Sequence, residues 1–240
     1  MAIGKRILSG VCIGLISLAG VAAVASAQDE KKPATKQTDE KPRKDKTDKG
    51  NPDGHPGKGG KHAGGVSVGQ AAPTFTLKDT SGKEHNLSTI LAGGDKVVVL
   101  EWFNPDCPVV KMHHGENTTF KDLAGKYKDK PVVFLAINSG AAGKQGAGLE
   151  RNKKAIGEYG ITYPVLLDES GDVGRAYGAK TTPHMFVIGK DGKVAYMGAI
   201  DDKSDKPGKT NYVSKALDEL LAGTTVSMPE TKPYGCSVKY

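Results

Sequence analysis

Apolar residues fall along this chain in two distinct rhythms. Between Lys96 and Asn104 the run VVVLEWF is apolar at nearly every position, and Pro131–Asn138 repeats the pattern with VVFLAI. Continuous runs of this length read as strands buried on both faces of a sheet with parallel neighbours. Elsewhere the spacing is helical. Phe120, Leu123, Ala124 and Tyr127 stand at i, i+3, i+4 and i+7, and Val213, Ala216, Leu217, Leu220 and Leu221 keep a similar spacing until Gly223. Both segments predict helices with one face packed inward. Leu149–Tyr159 and Ser170–Tyr177 predict two further helices, and Tyr163–Asp168 a short strand. Two hairpins complete the set: Phe75–Leu77 with His85–Leu87 around Ser81-Gly82-Lys83, and Met185–Gly189 with Val194–Ile200 around Asp191-Gly192. The succession predicts an α/β fold, a central mixed sheet flanked by helices with an N-terminal hairpin extension.

The ends of the chain behave differently. Behind Lys5 and Arg6, Ile7–Val24 is an uncharged apolar run that ends at the small-x-small triplet Ala25-Ser26-Ala27. Residues 1–27 therefore predict a signal peptide; left uncleaved, the run would tether the protein to a membrane. Residues 28–66 carry ten basic and seven acidic side chains among Pro, Gly and Thr, a composition that predicts a disordered charged linker. The folded domain is expected over 67–223, and 224–240 form a polar tail. Overall the chain has 34 Lys+Arg against 27 Asp+Glu, but from residue 67 onward the balance is 22 against 20. A nearly neutral domain leaves no electrostatic footprint for nucleic acid. Cleavage after Ala27 removes Cys12 and leaves Cys107 and Cys236, placed by export in a secreted or periplasmic, oxidising setting.

Cys107 carries the strongest chemical signal. It lies between a buried strand and a predicted helix, in Trp102-Phe-Asn-Pro-Asp-Cys107-Pro108, and Pro108 suits a first helical turn. Unpaired N–H groups and the positive end of the helix dipole favour thiolate there, and thiolate is the nucleophile. A second feature is Thr182-Pro183 at the entry to a strand, a place for a cis-proline. Cys236, in the polar tail sequence Pro233-Tyr-Gly-Cys236, is expected to be mobile and to act as a resolving cysteine. Met112, His113 and His114 beside Cys107 raise a different class, a soft-metal carrier. Adjacent histidines on a helix point about 100° apart, however, which works against a shared ion. The Gly-rich stretch Ser139–Gly148 lacks the Ser/Thr and the spacing of a phosphate loop. No metal site or cofactor is expected.

With these motifs in place, residues 67–223 resemble the thioredoxin-like superfamily, in particular its redoxin branch (alkyl hydroperoxide reductase/thiol-specific antioxidant; peroxiredoxin-like proteins). The matching pieces are EWFNPDCPVV at 101–110, LAINS at 135–139, YPVLLDESGDVGRAYGAKTTPHMFVI at 163–188 and DGKVAYMGAIDD at 191–202. The resemblance implies a thioredoxin fold, a reactive Cys107, a cis-Pro183 packed opposite it, and a Thr182 backbone able to hold an incoming substrate. Two departures matter. Val110 stands where disulfide reductases place a second cysteine. Leu100 and Asn104 stand where peroxiredoxins place Pro and Thr or Ser. Asn104 has amide donors for a peroxide or for the sulfur, and neither Arg151 nor Arg175 lies in a recognisable motif. The expected function is an exported thiol oxidoreductase that reduces peroxides through Cys107, is resolved by Cys236 and is recycled by an external thiol. The alternatives are a thiol-disulfide reductase acting on protein disulfides and a copper carrier using Cys107 and nearby His and Met.

Overall fold

A computed structural model describes residues 64–240. The predicted signal peptide and nearly all of the predicted linker lie outside those residues. The order of elements is β1 (Thr76–Asp79), β2 (Glu84–Asn86), α1 (Leu87–Leu91), β3 (Val97–Trp102), α2 (Pro108–Lys111), a π-helical turn (Met112–Glu116), α3 (Thr119–Lys126), β4 (Val132–Asn138), α4 (Leu149–Tyr159), β5 (Val165–Leu167), α5 (Asp172–Tyr177), β6 (Thr181–Thr182), β7 (Met185–Ile188), β8 (Val194–Gly198), α6 (Tyr212–Leu221) and β9 (Cys236–Ser237). Seven strands form one sheet in the order β2-β1-β5-β4-β3-β7-β8, and β6 and β9 pair separately. β3 runs parallel to β4 and antiparallel to β7. This is the mixed sheet that the patterning predicts, in the thioredoxin fold.

β3 is the spine because both of its faces are apolar. Val98, Leu100 and Trp102 enter one core with Leu135, Ile137, Tyr177 and Phe186. Val97 and Val99 enter the other with Phe120, Leu123, Tyr196, Val213 and Leu217. The inward faces of α3 and α6 are the ones that the i, i+3, i+4 spacing marks. A third, smaller cluster at the end of the sheet gathers Phe103, Cys107, Val110, Ala136, Ala155 and Val165. This third cluster forms the immediate apolar surroundings of the cysteine.

The structure departs from the sequence reading in two places. Leu87 opens helix α1, capped by Asn86, whose side chain accepts from the Thr89 N–H, and does not end the hairpin strand. The tail, expected to be mobile, is seated on the domain. Its backbone follows β8, with Met197 N–H donating to Pro229 O at 3.0 Å and Thr231 N–H to Met197 O at 3.1 Å. It then adds β9 to β6. Backbone hydrogen bonds made along the tail satisfy donors and acceptors that an unattached segment would leave to water.

Candidate active site

The loop after β3 is bent by its own side chains. Asn104 Oδ1 accepts from the Asp106 N–H at 2.8 Å, and Cys107 N–H donates to Asn104 O at 3.1 Å. This turn delivers Cys107 as the N-cap of α2 with Pro108 in the first turn. Neighbouring elements pin the loop from outside. Arg151 on α4 donates through Nε to Asp106 Oδ1 at 2.9 Å, and Tyr159 donates to Pro105 O at 2.6 Å. Asn104 Nδ2 donates to Gln145 O at 3.1 Å. Gly146, with φ +75°, comes so close to that amide that a Cβ would overlap it. The Gly-rich stretch thus seats Asn104.

Cys107 is fully buried. Its Sγ lies 3.0 Å from Thr182 O and 2.7 Å from Cys236 Sγ, and both thiols are free. The Thr182–Pro183 bond is cis. Of the residues singled out in the sequence, Cys107, Cys236, Thr182 and Pro183 thus meet at one point. Pro108 is exposed at the start of α2. Asn104 is buried in the adjoining loop, with its amide engaged by Gln145 and Asp106.

A family model described as Redoxin matches residues 67–215. The chain belongs to the Redoxin family. A thiol-disulfide oxidoreductase, ResA, of Geobacillus thermodenitrificans is 33% identical over 129 residues, covering 54% of this chain and 67% of that protein. The protein of the same name from Bacillus subtilis is 31% identical over 132 residues, covering 54% and 65%. Among solved structures, an uncharacterized conserved protein of Geobacillus kaustophilus matches with TM-score 0.66 and 32% identity, over 72% of this chain and 92% of that one. A hypothetical protein of Sinorhizobium meliloti matches with TM-score 0.65 and 27% identity, over 73% and 95%. This redoxin is a thiol oxidoreductase.

The two sulfurs have opposite electrostatic environments. Burial pushes the Cys107 thiol up, but the Cys236 thiol and the backbone N–H groups near its sulfur outweigh burial and hold it below the ordinary thiol range. Burial, and then the neighbouring Cys107, push Cys236 up to about 11. Of the pair, Cys107 is therefore the sulfur that gives up its proton first. On the reduced protein, thiolate ultraviolet absorbance should rise with pH in two separated steps, one below and one above the ordinary thiol value of about 8.5. A single step at that ordinary value would contradict the assignment.

The histidines beside Cys107 are committed elsewhere. His113 Nδ1 lies 3.2 Å from Thr119 Oγ1 and its Nε2 3.0 Å from Tyr234 OH. His114 Nε2 lies 2.8 Å from Glu101 Oε1, with its ring stacked on Phe120 at 4.3 Å. Among the described residues no group of three His, Cys, Asp or Glu gathers as a metal site. For the copper-carrier alternative, His113 and His114 therefore have their ring nitrogens engaged by Thr119, Tyr234 and Glu101.

Sequence reasoning missed three partners. Val110 lies in the first turn of α2, whose unpaired N–H groups favour charge on the sulfur that caps them, although no cap hydrogen bond to Cys107 Sγ is made. Arg151 is 45 residues from Asp106 in the chain, with no motif to signal it. Tyr234 latches the tail, donating to Asp201 and meeting His113; only the aromatic character of that position within a polar tail hinted at it.

Proposed function

We propose that this redoxin is a thiol-disulfide oxidoreductase that reduces disulfides, with Cys107 as nucleophile and Cys236 as the second sulfur of the pair. The observation that carries the reading is that the Cys107 and Cys236 sulfurs lie against each other, one thiol held below and one above the ordinary range. Cys236 reaches Cys107 from β9, so a dithiol exists although Val110 breaks the local Cys-x-x-Cys. The names of the relatives support the same chemistry.

The cycle balances as two exchanges. The Cys107 thiolate attacks one sulfur of a substrate disulfide; a Cys107–substrate bond forms and the other substrate sulfur leaves as thiolate. Cys236 passes its proton to that thiolate or to water, then attacks Cys107 Sγ. The Cys107–Cys236 disulfide forms and the second substrate thiolate leaves. The substrate gains two electrons and the protein loses two. An external dithiol reverses the change and recycles the enzyme.

The peroxide reading gives way to its alternative. A peroxidase needs donors aimed at the oxygen bound over the sulfur. The Asn104 amide is engaged by Gln145 and Asp106. Arg151 is spent on Asp106 and Glu158. Arg175 donates to Ser170 O and lies against the Tyr240 ring. With equimolar hydrogen peroxide and an oxidised small disulfide, the reduced protein should consume the disulfide roughly 10²-fold faster, because no arranged donor stabilises the leaving hydroxide. Faster loss of thiols to peroxide would overturn the reading.

Export is part of the proposal on the strength of the sequence alone. Among the described residues no helix is long and apolar enough to cross a membrane. Residues 1–27, read as a leader, would deliver the domain to an oxidising compartment, where substrate disulfides persist.

A further inference from the structure

Cys107 is sealed from solvent, and the chain's own C-terminus covers it. β9 lies antiparallel on β6, with Cys236 opposite Thr182 and Ser237 opposite Thr181. The strand continues past its last paired residue: Val238 N–H donates to Lys180 O at 3.1 Å, and Ala141 N–H donates to Lys239 O at 2.8 Å. Tyr240 OH then donates to Ala179 O at 2.8 Å, with its ring 4.9 Å from the Arg175 guanidinium. The ring fits because α5 and its cap present Gly174 and Gly171; a Cβ on either would overlap Tyr240. On the other side of the cysteine, Gly235 has φ +123° and passes so close to the Thr182 carbonyl that a Cβ would strike it.

These contacts define a recognition pattern. The edge of β6 offers backbone groups to any extended chain, which is how a strand edge binds a peptide. The carbonyl of Thr182 excludes a side chain immediately before the cysteine. The slot over Gly171 and Gly174 accepts a ring four residues after it. The chain's own tail meets all three conditions and places its cysteine on Cys107 Sγ.

We propose that the Thr181–Thr182 edge and the Gly171/Gly174 slot form a docking surface for an extended, cysteine-bearing polypeptide, and that residues 235–240 are its resident occupant, displaced by strand exchange. The inference rests on the disulfide-exchange reading above and names its substrate class: a protein disulfide with glycine before the reactive cysteine and an aromatic residue four positions after it. When such a segment replaces the tail, the Cys107 thiolate attacks its cysteine sulfur and the segment's former disulfide partner leaves as thiolate. Cys236 waits on the displaced tail and returns with it to resolve the adduct. Displacement breaks the two-residue β9 pairing and the bonds of Val238, Lys239 and Tyr240, and an incoming segment of the same pattern remakes them.

The test uses the full-length reduced protein and a peptide of residues 232–240 whose cysteine is capped as a mixed disulfide with thionitrobenzoate. Attack by Cys107 releases the coloured thionitrobenzoate, and in the Cys236→Ser protein, where the adduct is not resolved, mass mapping places the peptide on Cys107. Two altered peptides carry Tyr240→Ala or Gly235→Ala, and dithionitrobenzoate serves as a small reagent without peptide. In the protein, Gly235→Ala forces the tail off the edge. Val238→Pro, which deletes the N–H donated to Lys180, loosens it by a different lesion and serves if the first variant fails to fold. The native peptide should react roughly tenfold faster with either loosened protein than with the wild type, and roughly tenfold faster than either altered peptide on the same loosened protein. Equal rates for all three peptides, while the small reagent modifies Cys107, would overturn the docking proposal. Failure of the small reagent and the peptides alike to modify Cys107 would instead sink the exchange reading beneath it.

Discussion

Replacing Cys107 with serine should abolish disulfide reduction, with a loss of at least about 10³-fold in turnover. The sulfur is buried between the Cys236 thiol and the Thr182 carbonyl, and its thiol is held below the ordinary range. A serine hydroxyl there stays protonated at neutral pH and forms no bond to sulfur. The fold should survive, because Cys107 belongs to a small cluster with Phe103, Val110 and Ala136 and serine is slightly smaller. Turnover of a model disulfide, measured alongside the far-ultraviolet circular dichroism, decides the matter. Full activity in a folded Cys107→Ser protein would move the chemistry elsewhere.

Cys236→Ser should separate the two halves of the cycle. The first exchange needs only Cys107, and a serine hydroxyl at 236 can still donate to the thiolate. The second exchange loses its nucleophile. The neighbouring thiol acts at a very high effective concentration, so its removal should slow turnover by roughly 10²-fold while substrate stays bonded to Cys107. Non-reducing gels and peptide mapping would show a stable mixed disulfide at Cys107 in the variant and none in the wild type. A variant that turns over normally without an adduct would make Cys236 a bystander.

The comparison with the sequence shows which information is local. The run from Val97 to Trp102 and the helical spacing of Phe120, Leu123 and Tyr127 mark their elements because burial imposes a period on each. The placement of Cys107 was equally legible, since a buried strand, a proline and a helix start are neighbours in the chain. The geometry of the tail was not. Cys236 pairs with Thr182 from 54 residues away, through backbone groups that every residue carries, so no side-chain pattern announces it. A glycine next to a cysteine in polar surroundings reads as freedom, yet Gly235 is there because Thr182 leaves no room for a Cβ. The π-helical turn at Met112–Glu116 likewise has no signature in hydrophobic spacing, although it helps to bring both His113 and His114 into buried contacts.

The same contrast explains the change from peroxide to disulfide chemistry. Motif reading offered the Asn104 amide to a peroxide and could assign neither arginine. In the folded protein each has a partner: Asn104 holds Gln145 and Asp106, Arg151 holds Asp106 and Glu158, and Arg175 lies on Tyr240. The second sulfur, absent from the local motif, is the group that the fold supplies.

A redox titration of the full-length protein against a dithiol buffer, with disulfides mapped at each end, puts the central claim to its most direct test. The account predicts one two-electron couple, a Cys107–Cys236 bond in the oxidised protein, and a midpoint above about −300 mV, where exchange with other disulfides is reversible. Sulfurs at 107 and 236 that never bond to each other, or a bond that resists reduction below that potential, would contradict it.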